Sequence, residues 1–97
     1  MIELYTPLEV IEKTANLIEK IRKQQKLQQK ELALKADIPL PTYKQFIYHN
    51  KISFENIIKL FMALRMFDNL NGLLKIQEHK TLDDVKMEGK LPKRINK

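Results

Sequence analysis

The sequence predicts an all-α domain, and two observations carry that prediction. Apolar residues recur at three- and four-residue spacing along most of the chain, and no stretch of useful length alternates between apolar and polar residues as a strand would. The 97 residues include only two glycines, whereas a barrel or sandwich needs many turns. We therefore expect five short helices within residues 1–74, followed by a basic C-terminal extension over residues 75–97.

The first predicted helix has a clear N-terminal signal. Thr6 is a good N-cap, Pro7 suits the first helical position, and Glu9 completes a capping box. The helix is expected to run to about Gln25. The stripe predicted to face the core consists of Ile11, Ala15, Ile18 and Arg22.

The second and third helices are short, and prolines separate them. The second is predicted over residues 29–36, and the third starts at Pro41 or Thr42 and ends near Tyr48. Pro39 and Pro41 forbid one continuous helix, because proline lacks an N–H and its ring clashes with the preceding turn.

The fourth and fifth helices are predicted in the C-terminal half. Ser53 is expected to cap a helix over residues 54–64, whose apolar face consists of Ile57, Ile58, Phe61 and Leu64. Asp68 or Asn69 is expected to cap a fifth helix that carries Leu70, Leu73 and Leu74. Residues 90–97 contain four cations and no acid, so this part of the tail is expected to be disordered in the free protein.

Positive charge is concentrated in a central segment and in the tail. The net charge is +6, and residues 20–51 carry a balance of +6 and residues 75–97 one of +3, whereas residues 1–19 carry −3. Cations gathered in this way favour a polyanionic partner such as nucleic acid. On charge alone, a solubilising surface explains the pattern equally well.

The composition disfavours several other classes of protein. The chain has no cysteine, and neither of its two histidines has a second ligand at metal-binding spacing, so we predict no metal and no cofactor. No glycine-rich phosphate loop or nucleophile motif is present, so an enzyme is not expected. No apolar run approaches the roughly 20 residues that span a bilayer. The first residues lack the features of a signal peptide, and a soluble cytoplasmic protein is expected.

Residues 29–46 have the spacing of a two-helix unit that reads DNA. If Gln29 is its first position, a small residue (Ala33) falls at the fifth and a turn residue (Asp37) at the ninth. A small side chain lets the two helices approach, and the turn needs a residue that tolerates a left-handed conformation, which Asp does less well than Gly. The outer face of the second helix is then free to enter a major groove. The apolar anchors that would hold this helix are Ile38, Tyr43 and Phe46.

Several segments of the chain resemble a known family. Residues 17–33 resemble the opening of the xenobiotic-response-element (lambda/Cro-type) helix-turn-helix family, residues 38–46 its turn and recognition helix, and residues 53–64 its fourth helix. The resemblance covers about residues 14–74. It implies a compact five-helix, lambda-repressor-like domain that acts as a sequence-specific, homodimeric regulator of transcription on an inverted-repeat operator.

A narrower resemblance concerns the end of this region. Phe-Asp-Asn-Leu-Asn-Gly-Leu-Leu at residues 67–74, together with the basic C-terminal end, resembles HipB-like antitoxins, which are encoded beside HipA-like kinase toxins and repress their own operon. The alternative function is therefore a protein-interaction module whose main role is to neutralise a HipA-like kinase toxin. A helical adaptor without a nucleic-acid role is a third hypothesis. The fifth helix and the tail are the expected dimer contact.

The chain departs from the family pattern at several positions. Asp37 replaces the usual turn glycine, Gln28 stands where Ser or Thr is common, and Ile47 replaces a frequent Glu after the last anchor. The first two changes are expected to reduce stability rather than function. Pro39 and Pro41 alter the surface that would read bases, so the base preference of relatives does not transfer.

The candidate DNA-contact residues follow from the matched positions. Gln29 matches a phosphate contact at the start of the second helix. Gln45 is expected to bond an adenine edge and Lys44 a guanine or a phosphate. Arg22 serves either a phosphate or a structural salt bridge. The remaining candidates are expected either to touch phosphates or thymine methyl groups, or to be plain turn and surface residues. They are Leu40, Pro41, Thr42, Tyr48, Asn50, Lys51, Lys93 and Arg94.

Overall fold

The structure, a computed structural model, describes residues 2–75, and in that range it contains helices and no strand. A short 3-10 turn at Ile2–Leu4 comes first. The helices that follow are α1 (Pro7–Gln24), α2 (Gln29–Ala36), α3 (Leu40–His49), α4 (Phe54–Ala63) and α5 (Phe67–Leu74). The all-α prediction with five short helices is therefore confirmed. The predicted C-terminal extension lies, from residue 76 onward, outside the described residues.

The start of α1 has the capping box that the sequence predicts. The Glu9 backbone N–H donates to Thr6 Oγ1 at 3.1 Å, and the Thr6 N–H donates to Glu9 Oε1 at 2.8 Å. Two N–H groups that the helix itself cannot satisfy are paired in this way. The buried residues of α1 are Ala15, Ile18 and Arg22, all on the predicted stripe.

The core is shared by the first four helices. α2 packs on α3 and α4, α1 packs on α3, and α4 also contacts α5. The large side chains that are completely or almost completely buried are Ile18, Leu32, Tyr43, Phe46, Leu60 and Leu64. Two of them lie in α3, so this helix is fixed from its inner side. Within residues 2–75, no helix combines the length and apolar character needed to cross a membrane.

The connections between the helices use left-handed residues that are not glycine. Lys26, Asp37, Asn50 and Arg65 follow α1, α2, α3 and α4, with φ of 61°, 61°, 59° and 61°. The expectation that Asp37 adopts the left-handed turn conformation is confirmed by its φ of 61° and ψ of 47°. A left-handed residue at the end of a helix ends it and turns the chain within a few residues, so the next helix runs in a different direction.

Helix α3 begins earlier than predicted. Its first residue is Leu40 rather than Pro41 or Thr42, and Pro39 is the N-cap, with φ of −63° and ψ of 144°. Pro41 therefore lies in the first turn, where backbone N–H groups have no partner within the helix and a missing N–H costs little. The helix also continues to His49, one residue beyond the predicted end.

The predicted cap of α5 is wrong. The helix starts at Phe67, and its N-cap is Met66, which provides no side-chain cap, so neither Asp68 nor Asn69 caps it. The Met66 side chain is buried and its N–H donates to the Phe61 carbonyl at 2.8 Å. Packing of Met66 against the end of α4, rather than a side-chain oxygen, therefore fixes where α5 begins.

Candidate nucleic-acid interface

α2, its turn and α3 form the two-helix unit that the residue spacing predicts. Ala33 is buried where the helices approach each other, and the Ile38 N–H donates to its carbonyl at 3.0 Å. Ile38, Tyr43 and Phe46 are buried, which confirms them as anchors. The rings of Tyr43 and Phe46 meet edge to face, with centroids 6.5 Å apart. With these anchors inside, the opposite side of α3 faces outward.

The outward side of α3 carries a shallow, open depression. It is lined by Leu40, Pro41, Lys44, Gln45, Tyr48 and His49. All of these except His49 are predicted contact residues, and they meet because helical periodicity places residues three and four apart on one face. His49, four residues after Gln45, lies on the same face. Thr42 is half-buried and does not line the depression.

Gln29 connects this face to the start of α2. It is the first residue of α2 and is half-buried. Its side-chain Nε2 donates to the Tyr48 hydroxyl at 3.2 Å and lies 3.4 Å from Glu19 Oε2. At the preceding N-cap, the Gln28 N–H donates to Glu31 Oε1 at 2.6 Å. The structure thus brings Gln29 and Tyr48 together, although 19 residues separate them in the sequence.

Of the two roles that the sequence leaves open for Arg22, the structure shows the salt bridge. Arg22 is 9% exposed, and its guanidinium bonds Glu19 at two points, Nη2 to Oε1 at 2.9 Å and Nε to Oε2 at 3.0 Å. Its Nη1 donates to the Leu27 carbonyl. The bonds to Glu19 raise the pKa of Arg22, against the opposing effect of burial. Arg22 therefore joins α1 to the start of the α2 segment and lies apart from the outer face of α3.

Glu19 is the residue at the centre of this cluster, and it is not among the residues predicted to be functional. Burial tends to raise the pKa of its carboxyl, but the hydrogen bonds from Arg22, Tyr43 and Gln29 outweigh that effect and hold it below its ordinary value. Burial and the bond to Glu19 raise the pKa of the Tyr43 hydroxyl, which donates to the carboxylate. The i, i+3 spacing of Glu19 and Arg22 was the available signal.

The residues after α3 lie at its C-terminal end. Asn50 is the left-handed C-cap, and its Nδ2 lies 3.4 Å from Glu12 Oε2. Lys51 is exposed, and its N–H donates to the Gln45 carbonyl at 3.3 Å. Lys93 and Arg94 lie outside the described residues. Between residues 2 and 75, no group of three His, Cys, Asp or Glu side chains could hold a metal ion.

Comparison with known proteins agrees with this geometry. A family model described as Helix-turn-helix matches residues 18–66, which span the second part of α1, the whole α2–α3 unit and α4. The chain belongs to the Cro/C1-type helix-turn-helix family. Members of this family are DNA-binding regulators of transcription. No curated protein and no solved structure matches the chain.

Within this helix-turn-helix protein, α2 and α3 are the two helices of the motif. The second helix of such a motif lies in the DNA major groove, and its first helix crosses the backbone. The depression on α3 is therefore on the helix that contacts base edges in this family of folds, and Gln29 is the first residue of the other helix of the motif.

Proposed function

We propose that this helix-turn-helix protein is a sequence-specific transcriptional repressor that binds an inverted-repeat operator as a homodimer. The observation that carries the proposal is the contrast between the two sides of α3. Tyr43 and Phe46 are fully buried, whereas Lys44, Gln45 and Tyr48 are exposed on the opposite side. A helix fixed from within by two aromatic anchors presents a rigid polar face, which is what reading base edges requires.

Each exposed residue of this face has a role that fits its chemistry. Gln45 bonds an adenine edge through its amide, and Lys44 bonds a guanine or a phosphate. Leu40 and Pro41 pack on thymine methyl groups. Backbone contacts come from the two ends of the motif and from the tail, through the main-chain N–H of Gln29 and through Thr42, Tyr48, Asn50, Lys51, Lys93 and Arg94. Arg22 has no part in this interface, because its guanidinium is bound to Glu19 and Leu27.

Gln45→Ala tests the reading of bases. We expect binding to the preferred operator to weaken by about 1–3 kcal/mol and the preference at one base position to relax, because the bidentate amide contact is lost. The measurement is selection from random duplexes followed by sequencing. Gln24→Ala, which changes an exposed glutamine at the end of α1, is the matched control. An unchanged base preference for Gln45→Ala would contradict the assignment.

The homodimer is supported by an apolar surface around α5. This helix has no buried residue, and Leu74 is 85% exposed. A groove runs beside it between α1 and α4, lined by Val10, Ile11, Thr14, Ile52, Phe54, Ile57, Phe61 and Leu73. Contiguous apolar surface of this kind marks a protein–protein contact. A two-fold dimer built on it places two α3 helices on one DNA, and occupancy of a promoter by the dimer then represses transcription.

A second candidate function uses the same apolar surface. In it the chain is a HipB-like antitoxin that holds a HipA-like kinase toxin inactive and represses its own operon. The exposed α5 surface favours a protein partner in either case. The two functions are not exclusive, and an α3 variant that loses DNA binding but still binds a kinase partner would separate them.

Leu73→Asp tests the dimer. We expect the unmodified protein to sediment as a dimer and Leu73→Asp as a folded monomer. Dimer formation would bury the introduced carboxylate without a compensating positive charge, which is unfavourable. Leu34→Asp is the matched control, since Leu34 is an exposed leucine of α2. A monomeric unmodified protein would overturn the homodimer.

A further inference from the structure

We propose that Glu19 is a positioning residue for DNA binding, which acts through Gln29 to aim the Tyr48 hydroxyl proton at a DNA phosphate. The inference rests on the proposed DNA-binding function and adds to it a residue that contacts no DNA. It also changes the expected role of Gln29, whose side chain serves as a link between Glu19 and Tyr48 rather than as the phosphate contact itself.

The Glu19 carboxylate is held in one place by two neighbours. Arg22 bonds both of its oxygens, at 2.9 and 3.0 Å, in the forked geometry that fixes a carboxylate in position and orientation. The Tyr43 hydroxyl donates to Oε2, and the Tyr43 ring is fully buried in the core. Because Tyr43 belongs to α3 and Glu19 to α1, the position of the carboxylate is tied to the position of the recognition helix.

The carboxylate in turn determines which way the Gln29 amide faces. An ionised carboxylate can only accept hydrogen bonds, so the group of Gln29 that faces it is the NH2 nitrogen. That nitrogen, 3.4 Å from Glu19 Oε2, is also 3.2 Å from the Tyr48 hydroxyl oxygen. The amide has two hydrogens, and this arrangement directs one to each oxygen. The Gln29 side chain therefore has no N–H remaining for a phosphate.

The Tyr48 hydroxyl consequently still has its own O–H available to donate. It accepts from Gln29, and a hydroxyl that accepts in one direction still has its own O–H to donate in another. Tyr48 is 61% exposed and lines the outer depression of α3 with Lys44 and Gln45. A phosphate oxygen is an acceptor only, so it matches the one hydrogen-bonding group that Tyr48 has available on this face.

Two substitutions on the exposed end of the link test this arrangement. Gln29→Ala and Tyr48→Phe should each weaken binding to a mixed-sequence duplex of about 20 base pairs by about tenfold, and the double variant should be no weaker than Tyr48→Phe alone. The slope of log affinity against log salt should stay unchanged, because the lost donor is neutral. By comparison, Lys51→Gln should reduce the slope by about 0.9 if Lys51 meets a phosphate.

Tyr5→Phe is the matched control for the hydroxyl, because Tyr5 is an exposed tyrosine before α1 and its ring contact with Lys13 is retained. It should bind like the unmodified protein. Full additivity of Gln29→Ala and Tyr48→Phe, or unchanged affinity for either, would overturn the proposal. Failure of the unmodified protein to bind any duplex would overturn the proposed function together with it.

Glu19→Gln separates positioning from simple electrostatics. Removal of a negative charge near DNA should by itself strengthen binding, and Glu55→Gln, an exposed glutamate of α4, measures that effect. Glu19→Gln should weaken binding instead, by up to the tenfold loss of Gln29→Ala. When Tyr48 is phenylalanine, Glu19→Gln should cause no further weakening and should show only the electrostatic effect of Glu55→Gln. Affinity is measured per folded molecule, with helix content from circular dichroism. A folded Glu19→Gln protein that binds like Glu55→Gln would show that the cluster is structural only. If Glu19→Gln does not fold, Glu19→Asp, which keeps the charge but withdraws the carboxylate by one CH2 group, takes its place, and unchanged affinity for a folded Glu19→Asp protein would overturn the proposal.

Discussion

Phe46→Ala is expected to remove a large part of the free energy of unfolding. Phe46 is 0% exposed and packs against Tyr43 in the core beneath the recognition helix. Truncation of a fully buried phenylalanine costs about 3–5 kcal/mol, and small domains have only about 5–15 kcal/mol of stability in total. Urea unfolding followed by circular dichroism measures the loss, and DNA binding should fall in proportion to the folded fraction.

Leu34→Ala provides the control for this prediction. Leu34 is also an apolar residue in a helix, but it is 82% exposed and does not line the groove proposed for the dimer, so its truncation should cost less than about 1 kcal/mol. A Phe46→Ala protein that unfolds like the parent and yet fails to bind DNA would mean that Phe46 reads DNA from the surface, and the assignment of the inner side of α3 would then be wrong.

Arg22→Met is expected to be the second large effect, with a loss of about 3 kcal/mol near pH 7. Removal of one member of a buried ion pair leaves the other charge uncompensated, which costs about 3–5 kcal/mol. The lower end of this range applies because water still reaches the two side chains in part, with Arg22 11% and Glu19 17% exposed. Methionine retains the apolar stem of the side chain, so the loss reports the charge rather than the packing.

The size of this effect should depend on pH in a defined direction. In the folded parent the pKa of Glu19 lies below its ordinary value, because the bonds from Arg22, Tyr43 and Gln29 outweigh burial. A lowered folded-state pKa gives stability that is complete above the unfolded pKa and is lost as the pH falls through the folded pKa. The difference between Arg22→Met and the parent should therefore shrink below a pH of about 4.

Unfolding measured at several pH values between about 3 and 7 tests this, with Lys23→Met as the control. Lys23 is an exposed cation adjacent to Arg22, and its replacement should have little effect at any pH. A pH-independent deficit in Arg22→Met would indicate that the hydrogen bond from Arg22 to the Leu27 carbonyl, and not the ion pair, stabilises the fold.

Local signals in the sequence were sufficient for the helices and for the motif. The capping box at Thr6 and Glu9 and the apolar stripe through Ala15 and Ile18 depend on residues within one or two helical turns, and both appear as predicted. The anchors Tyr43 and Phe46 are also predicted correctly, because their spacing from Gln29 determines which side of α3 faces inward.

The start of α5 shows where local signals fail. Asp68 and Asn69 have the chemistry of N-caps, yet the helix begins before them, at Phe67. Met66 is buried only because the helices pack together, and an isolated segment has no such core. This burial outweighs a capping bond of about 1 kcal/mol. Likewise, the periodicity of Leu70, Leu73 and Leu74 predicts an apolar face but does not indicate that the monomer leaves Leu73 and Leu74 exposed.

The sequence by itself thus determined the five helices, the two-helix motif and the face of α3 that turns outward, because each depends on spacing within a short segment. Only the tertiary structure assigned Arg22 to a salt bridge and joined Glu19, Gln29, Tyr43 and Tyr48. These residues belong to three helices, and hydrogen bonds reach only about 3 Å, so their pairing depends on how α1, α2 and α3 pack.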